Sequence, residues 1–388
     1  MNVKSDLKFS KRGDALIGQE MFHILERANK IEKSGEKVYH LELGEPKMYP
    51  PGRIINKTII SLLENKVGYS PSGGLLALRK EIASYHSEKL NKKLNFQNVV
   101  ISPANLLIFQ FLDIVCEVDD TVVLFTPAFP TYIAACNYIG VRTKKIPLSI
   151  DNGFQLTKKH IDEALSLKPK TIIINSGNNP TGAVYDKEVL GYLLEKAVQK
   201  DCWILSDETY GMLSFNKSFF SMLNYNYEKL VIISSFSKIF SVPGFRIGYL
   251  ISDPTVSDKI SLSSSTLYSC LPIFTQEGII IGTSIMDEFT KQSRKYYKKL
   301  SKECASIIDE SDLLSCTMPD SGFYLFIDIR KTKLDDMIFC QRLLNEYKTA
   351  ITPGSSFGYE GFIRASICGN IKEVKKGLRQ MVLFSNSL

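Results

Sequence analysis

Lys238 lies in Ser235-Phe-Ser-Lys-Ile-Phe-Ser-Val-Pro-Gly-Phe-Arg246-Ile-Gly, where an amine, the hydroxyls of Ser235 and Ser237 and a guanidinium share one short segment. A lysine held in a protein pocket can shed its proton and attack a carbonyl to form a Schiff base, while hydroxyls and an arginine satisfy a nearby phosphate. The preceding run Leu230 to Ser234 is apolar and β-branched, so it reads as a buried strand that delivers these groups to its C-terminal end. Open α/β sheets bind their ligands there. Lysines and serines after a strand are also ordinary surface-loop residues, so the segment does not decide its own chemistry. Ser235-x-x-Lys238 has the spacing of a serine hydrolase as well, but that reading needs S-D-N and K-T-G further along, and neither occurs. The molecule that suits the segment is an aldehyde and a phosphate at once, as pyridoxal 5′-phosphate (PLP) is.

Two more polar clusters follow strand-like runs. Asn175-Ser-Gly-Asn-Asn179-Pro180-Thr181-Gly182 is by itself a turn signal, and Asp207 in Asp207-Glu-Thr-Tyr210 could simply cap a helix. What matters is the order: Gly44-Glu-Pro46, Gly68-Tyr69, Asn179-Pro-Thr-Gly182, Asp207-x-x-Tyr210, Ser235-x-Ser-Lys238 and Arg246 all occur in one chain. With this set the sequence, from about residue 40 to 366, resembles the class I/II aminotransferases of PLP fold type I.

The resemblance implies a role for each residue. Lys238 forms the internal aldimine and carries the proton between the substrate Cα and the cofactor. Asp207 pairs with the pyridine nitrogen, Tyr210 and Asn179 donate to the ring's phenolate oxygen, and Phe129 stacks on the ring. Ser235, Ser237, Arg246 and the N–H groups of Ala104 and Asn105 clamp the phosphate at a helix N-terminus. A glycine is usual in that turn, whereas this chain has Ser102-Pro103-Ala104-Asn105 and loses one N–H donor at the proline. Tyr69 matches a tyrosine that reaches the phosphate of a neighbouring subunit, which implies a homodimer with shared active sites. Arg364, in Gly361-Phe-Ile-Arg-Ala-Ser366, matches the arginine that grips the substrate α-carboxylate, and Gly44 lets backbone approach the same group.

The implied reaction moves an amino group between an amino acid and a 2-oxo acid by a ping-pong mechanism. A PLP-dependent lyase or synthase shares the same lysine, acid and arginine and is the alternative, with a non-catalytic binding protein as a more distant one. In one prokaryotic branch of aspartate aminotransferases the position of Asn105 carries a lysine for the distal carboxylate. Here Asn105, together with Gln19-Glu20-Met21, offers no such grip, and Glu20 is expected to repel an acidic side chain.

Elements that could hold such a site are legible in the pattern. Val99 to Ser102, Thr121 to Phe125, Lys170 to Ser176, Trp203 to Asp207, Leu230 to Phe236 and Gly248 to Ile251 read as short buried strands alternating with helical stretches. The expected fold is α/β, a large domain with a mainly parallel mixed sheet flanked by helices plus a smaller α+β domain. Met286 to Glu310 reads as a long charged helix, and Gly322 to Asp328 as a strand beyond it. The domain reading is 1–45 as N-terminal arm and part of the small domain, 46–285 as the large PLP-binding domain, and 286–388 as interdomain helix and small domain.

A chain of 388 residues with 44% apolar and 23% charged residues suits two such units. The net charge of +7 is spread, its densest stretch being Lys291 to Lys302, so no nucleic-acid site is expected. Eight cysteines and four histidines show no metal spacing and read as reduced thiols. Met1 to Lys8 has no apolar core and no run is long enough to span a bilayer, which reads as a cytoplasmic protein with no membrane partner.

Overall fold

The structure is a computed structural model that describes residues 8–14, 16 and 18–388; the first seven residues, on which the N-terminal reading rests, lie outside it. Its centre is a seven-stranded sheet. The strands are β1 (Val99–Ser102), β2 (Thr121–Thr126), β3 (Arg142–Pro147), β4 (Thr171–Asn175), β5 (Trp203–Asp207), β6 (Leu230–Ser235) and β7 (Gly248–Ile251), in the spatial order β1-β7-β6-β5-β4-β2-β3. Every pairing is parallel except those of β7, which runs antiparallel to both β1 and β6.

Buried β-branched runs fill both faces. Ile172, Ile174, Ile204, Ile232 and Ile251 point into one apolar cluster, while Ile173, Leu205, Val231, Ile233 and Leu250 alternate into the other. Each such side chain, buried completely, contributes about 1.5–3 kcal/mol of transfer free energy. The chemistry-bearing connections are therefore anchored to the most rigid part of the molecule.

One strand was not foreseen. Arg142–Pro147 carries Arg142, Lys144 and Lys145 and looks like a loop, yet it pairs along all of β2 at the edge of the sheet. Charge on an exposed edge strand blocks pairing with other chains, so edge strands lack the apolar run that marks the central ones. The strand endings at 176 and 236 also shorten by one residue, because Phe236 opens the helix Phe236–Ile239.

A second, four-stranded sheet is built from β8 (Ser315–Cys316), β9 (Tyr324–Asp328), β10 (Thr352–Pro353) and β11 (Phe362–Ser366), in the order β10-β11-β9-β8. Its core joins Phe323, Leu325, Ile327, Ile363 and Ala365 to Leu41 and to the buried side of the helix Met286–Ile308. That helix keeps Lys291, Lys295, Lys299 and Lys302 exposed at intervals of about one turn, a solvated face opposite Tyr297, Leu300 and Cys304. The chain reaches this core early as well, through Tyr39–His40 paired parallel to Thr349–Ala350. All eight cysteines are free thiols, and no metal-binding group of residues occurs among the described residues. No helix among them is long and apolar enough to cross a membrane.

Candidate active site

At the C-terminal ends of β4, β5 and β6 lies a cavity of about 340 Å³, a size suited to a small cofactor with a substrate. Its lining includes Gly44, Ala104, Asn105, Phe129, Asn179, Asp207, Tyr210, Ser235, Ser237, Lys238, Arg246 and Arg364. These are the site residues read from the sequence, with one exception. Tyr69 does not line the cavity and stands 89% exposed.

The antiparallel pairing of Ser235 with Gly248 closes the connection that carries Ser237, Lys238 and Arg246, so both ends of that segment are clamped to the sheet. Ser235 caps the short helix, its hydroxyl accepting from Ser237 N at 3.2 Å. Arg246 follows a single turn over Pro243–Phe245 and takes the left-handed conformation at φ 59°, a strained setting for a residue with a Cβ. The strain turns its guanidinium back to Asn105, to whose Oδ1 Nη2 donates at 3.2 Å. A cation is thereby placed at the start of the helix Ala104–Val115, where the N–H groups of Ala104 and Asn105 have no intrahelical partner. Pro103 is the residue before that helix, a position where no helical hydrogen bond is lost.

Lys238 is largely covered at the floor of the cavity, with part of its side chain still reached by solvent, and its Nζ donates to the Gly44 carbonyl at 2.6 Å. Burial pushes its pKa down from 10.5 to about 8; the Cys368 thiol opposes this, and the charges of Arg364 and Arg246 reinforce it. Asp207, at the end of β5, is held by the Tyr132 hydroxyl at 2.7 Å and by Thr209 N at 3.0 Å. Burial raises its pKa, with those donors opposing the rise. Both hydrogen-bond partners are neutral, so the site presents a buried acid with room for a cation. Asn175 braces the arrangement, its side-chain amide donating to Asp207 O at 2.9 Å while its Oδ1 accepts from Asn179 N at 2.9 Å.

Arg364 projects from β11 and is 1% exposed. Its Nη1 donates to Asn179 Oδ1 at 3.1 Å and its Nη2 to the Glu42 carbonyl and, at 3.4 Å, to Thr352 Oγ1, while the buried Nε has no partner. All these acceptors are uncharged oxygens. A buried guanidinium without a counter-charge is costly, and an arriving carboxylate would relieve it.

The structure corrects two expectations. Gly44 does more than admit backbone: a Cβ there would lie 1.9 Å from the Tyr324 hydroxyl, so its bareness makes the space that Tyr324 fills. Gln19 and Met21 line the cavity, but Glu20 between them does not. Gln19 precedes the helix Glu20–Lys33 and donates from Nε2 to Thr131 Oγ1 at 3.0 Å, whereas successive helical residues point in different directions. The charge of Glu20 is felt at Cys340, whose thiol is pushed up chiefly by burial and then by Asp336 and Glu20.

Sequence reasoning missed Tyr132, Asn175 and Tyr324. Asn175 opens a segment already singled out, and Tyr132 falls three residues after Phe129 at the start of the helix Pro130–Ile139. Tyr324 has no local signal at all.

The model of the family described as aminotransferase class I and II matches residues 37–381. The chain belongs to that family. It is 30% identical over 93% of its length to an aspartate aminotransferase of Thermotoga maritima, covering 95% of that protein. It is also 32% identical over 95% of its length to the (5-formylfuran-3-yl)methyl phosphate transaminase of Methanocaldococcus jannaschii, covering 96% of it. A solved aspartate aminotransferase from Thermotoga maritima superposes with a TM-score of 0.91 at 29% identity, over 97% of this chain and 100% of that one. The protein is a PLP-dependent aminotransferase.

The pocket fits the cofactor on its own terms. An enclosed amine of lowered pKa suits an aldehyde, a buried acid with only neutral donors suits a protonated ring nitrogen, and the hydroxyls, guanidinium and helix N-terminus gathered by the connection 236–247 suit a phosphate.

Proposed function

We propose that the residues around the cavity divide the aminotransferase reaction between a cofactor end and a substrate end, and that the favoured substrate has a neutral or amine-bearing side chain. PLP, when bound, supplies an aldehyde and an electron-accepting ring. Ser235, Ser237, Arg246 and the N–H groups of Ala104 and Asn105 would hold its phosphate, Phe129 would lie against the ring, Asp207 would keep the ring nitrogen protonated, and Tyr210 and Asn179 would donate to the ring oxygen. With its oxygen committed to Arg364, the Asn179 amide has its NH₂ group left for that purpose. Lys238, with a pKa of about 8, is about one-tenth neutral at pH 7, enough for an amine that must take and return the proton at the substrate Cα. Arg364, with Gly44 and Asn179 beside it, would orient the substrate by its α-carboxylate.

The observation that carries the substrate reading is the roster of cations. Among the described lining residues these are Lys238, Arg246 and Arg364, each engaged elsewhere, and no fourth one remains for a distal carboxylate. The rest of the wall offers Met21, Phe22 and Leu43, the amides of Gln19 and Asn105, and the carboxylate of Glu45, which favours a larger neutral or amine-bearing side chain over an acidic one. Glutamate stays open as a general donor gripped differently. Steady-state comparison of aspartate with neutral, aromatic and basic amino acids tests this. An aspartate kcat/KM well above all the others would sink it.

The working unit is a homodimer in this reading. Tyr69 is exposed, and its loop is tied by Ser70 Oγ to Leu271 O at 2.9 Å, beside the end of the helix Pro254–Leu267. Leu262 and Leu267 on that helix, with Leu63 and Tyr49, are exposed apolar side chains of the kind an interface covers. Tyr69 from a second copy would then complete the phosphate site. Domains with bounds 46–285 and 1–45 plus 286–388, and a cytoplasmic location in keeping with free thiols, complete the proposal.

A further inference from the structure

Tyr324 opens β9, is 3% exposed and lines the cavity. Three independent contacts converge on it. Its hydroxyl lies 2.7 Å from the Tyr210 hydroxyl, its ring centroid is 4.5 Å from the Arg364 guanidinium carbon, and the space for its hydroxyl exists because residue 44 has no Cβ. Phe357 flanks the same guanidinium at 5.0 Å. Tyr210 belongs to the connection that follows β5 of the seven-stranded sheet, while Tyr324 and Arg364 belong to the smaller one. One side chain thus touches the substrate end and the cofactor end at once.

We propose that Tyr324 is a positioning residue that links the carboxylate clamp to the Tyr210 phenol, its ring holding the Arg364 fork in place and its hydroxyl orienting the Tyr210 hydroxyl toward the cavity. The inference rests on the reading of Arg364 and Tyr210 given above. A hydroxyl has one proton. If Tyr210 directs its own into the cavity, the bond between the two tyrosines has to be made with the proton of Tyr324. Burial raises both hydroxyls, and the Arg364 guanidinium opposes the rise at each of them. A carboxylate docking on Arg364 would offset the guanidinium charge felt by both hydroxyls.

Two variants of the PLP-loaded enzyme separate the ring from the hydroxyl. Tyr324→Phe keeps the ring beside Arg364. It should bind 3-phenylpropionate, a carboxylate with no amine, within about threefold of the parent by calorimetry, with KM little changed. It should lower kcat about tenfold and move the pH midpoint of the bound cofactor's absorption band upward, because the donor to the ring oxygen is no longer held. Tyr324→Leu removes both contacts and should weaken 3-phenylpropionate at least tenfold as well. A Tyr324→Phe enzyme identical to the parent in absorption midpoint and kcat would overturn the proposal, and so would an equal loss of 3-phenylpropionate in both variants. If Tyr324→Leu fails to fold, the absorption midpoint of Tyr324→Phe decides alone. Arg364→Ala is the control: unchanged 3-phenylpropionate binding there would overturn the reading of the clamp and this inference with it, whereas loss in Arg364→Ala with a silent Tyr324→Phe overturns the inference only.

Discussion

Replacing Lys238 by methionine should make the cofactor-free protein more stable at neutral pH, although it removes the reactive amine. Burial lowers the lysine pKa from 10.5 to about 8, a drop worth about 3 kcal/mol against the fold wherever the unfolded chain carries the charge. The sign follows from the depressed pKa of a cation. The penalty is complete below pH 8, shrinks between 8 and 10.5, and is absent above. Methionine is close in length and apolar, so it occupies the same space without a charge, but it leaves the Gly44 carbonyl without its donor at a cost of about 1 kcal/mol. The net expectation is a gain of about 2 kcal/mol at pH 7, vanishing by about pH 10. Urea unfolding of both proteins, stripped of cofactor so that ligand binding does not contribute, measures the difference at each pH. A variant no more stable than the parent at pH 7 would refute the reasoning. So would a gain that persists unchanged at pH 10, since it would come from packing rather than from charge.

Three other outcomes follow from the geometry. Borohydride reduction of the PLP-loaded enzyme, followed by peptide mapping, should place the pyridoxyl label on Lys238, and a label on any other lysine would overturn the assignment. Arg364→Ala should weaken carboxylate substrates by about 2–5 kcal/mol while PLP affinity, measured by equilibrium dialysis, stays nearly constant, because the guanidinium donates to Asn179, Glu42 and Thr352 and to none of the residues of the phosphate clamp. Equal losses of both affinities would show that it serves the cofactor instead. Co-expression of Tyr69→Phe with Lys238→Ala should yield a heterodimer with one intact site and activity above either parent variant, and sedimentation of a fully active monomer would exclude the shared site.

The chemistry-bearing segments were legible because each is short-range. A buried β-branched run followed by hydroxyls, a turn with asparagine and proline, and an acid at a strand end are written within a few residues of one another, as at Leu230 to Lys238 and Thr171 to Gly182. The charged edge strand Arg142–Pro147 was not, since its identity comes from a neighbour in space rather than from its own composition. The misplacement of Glu20 has a related cause: which of three consecutive residues faces the cavity depends on how the helix that starts at Glu20 docks, and Gln19 is fixed only by its bond to Thr131, far away in the chain.

By itself, then, the sequence determined the fold class and the residue types at the cofactor end, because hydrophobic period and turn chemistry act over a few bonds, while the cofactor followed from the family resemblance that the ordered motifs carry. Only the tertiary structure decided that Lys238 is covered deeply enough for its pKa to fall to about 8, because burial is a property of everything packed around it. It also decided that Gly44 exists to admit Tyr324, that Asn179 turns its oxygen to Arg364, and that Arg364 is left with an unpartnered Nε and neutral acceptors. Those relations join residue 44 and the connections carrying 179 and 210, which follow strands of the seven-stranded sheet, to residues 324 and 364 of the four-stranded one. No local pattern encodes them, since they arise only when the two sheets pack and the desolvated polar groups between them must find one another.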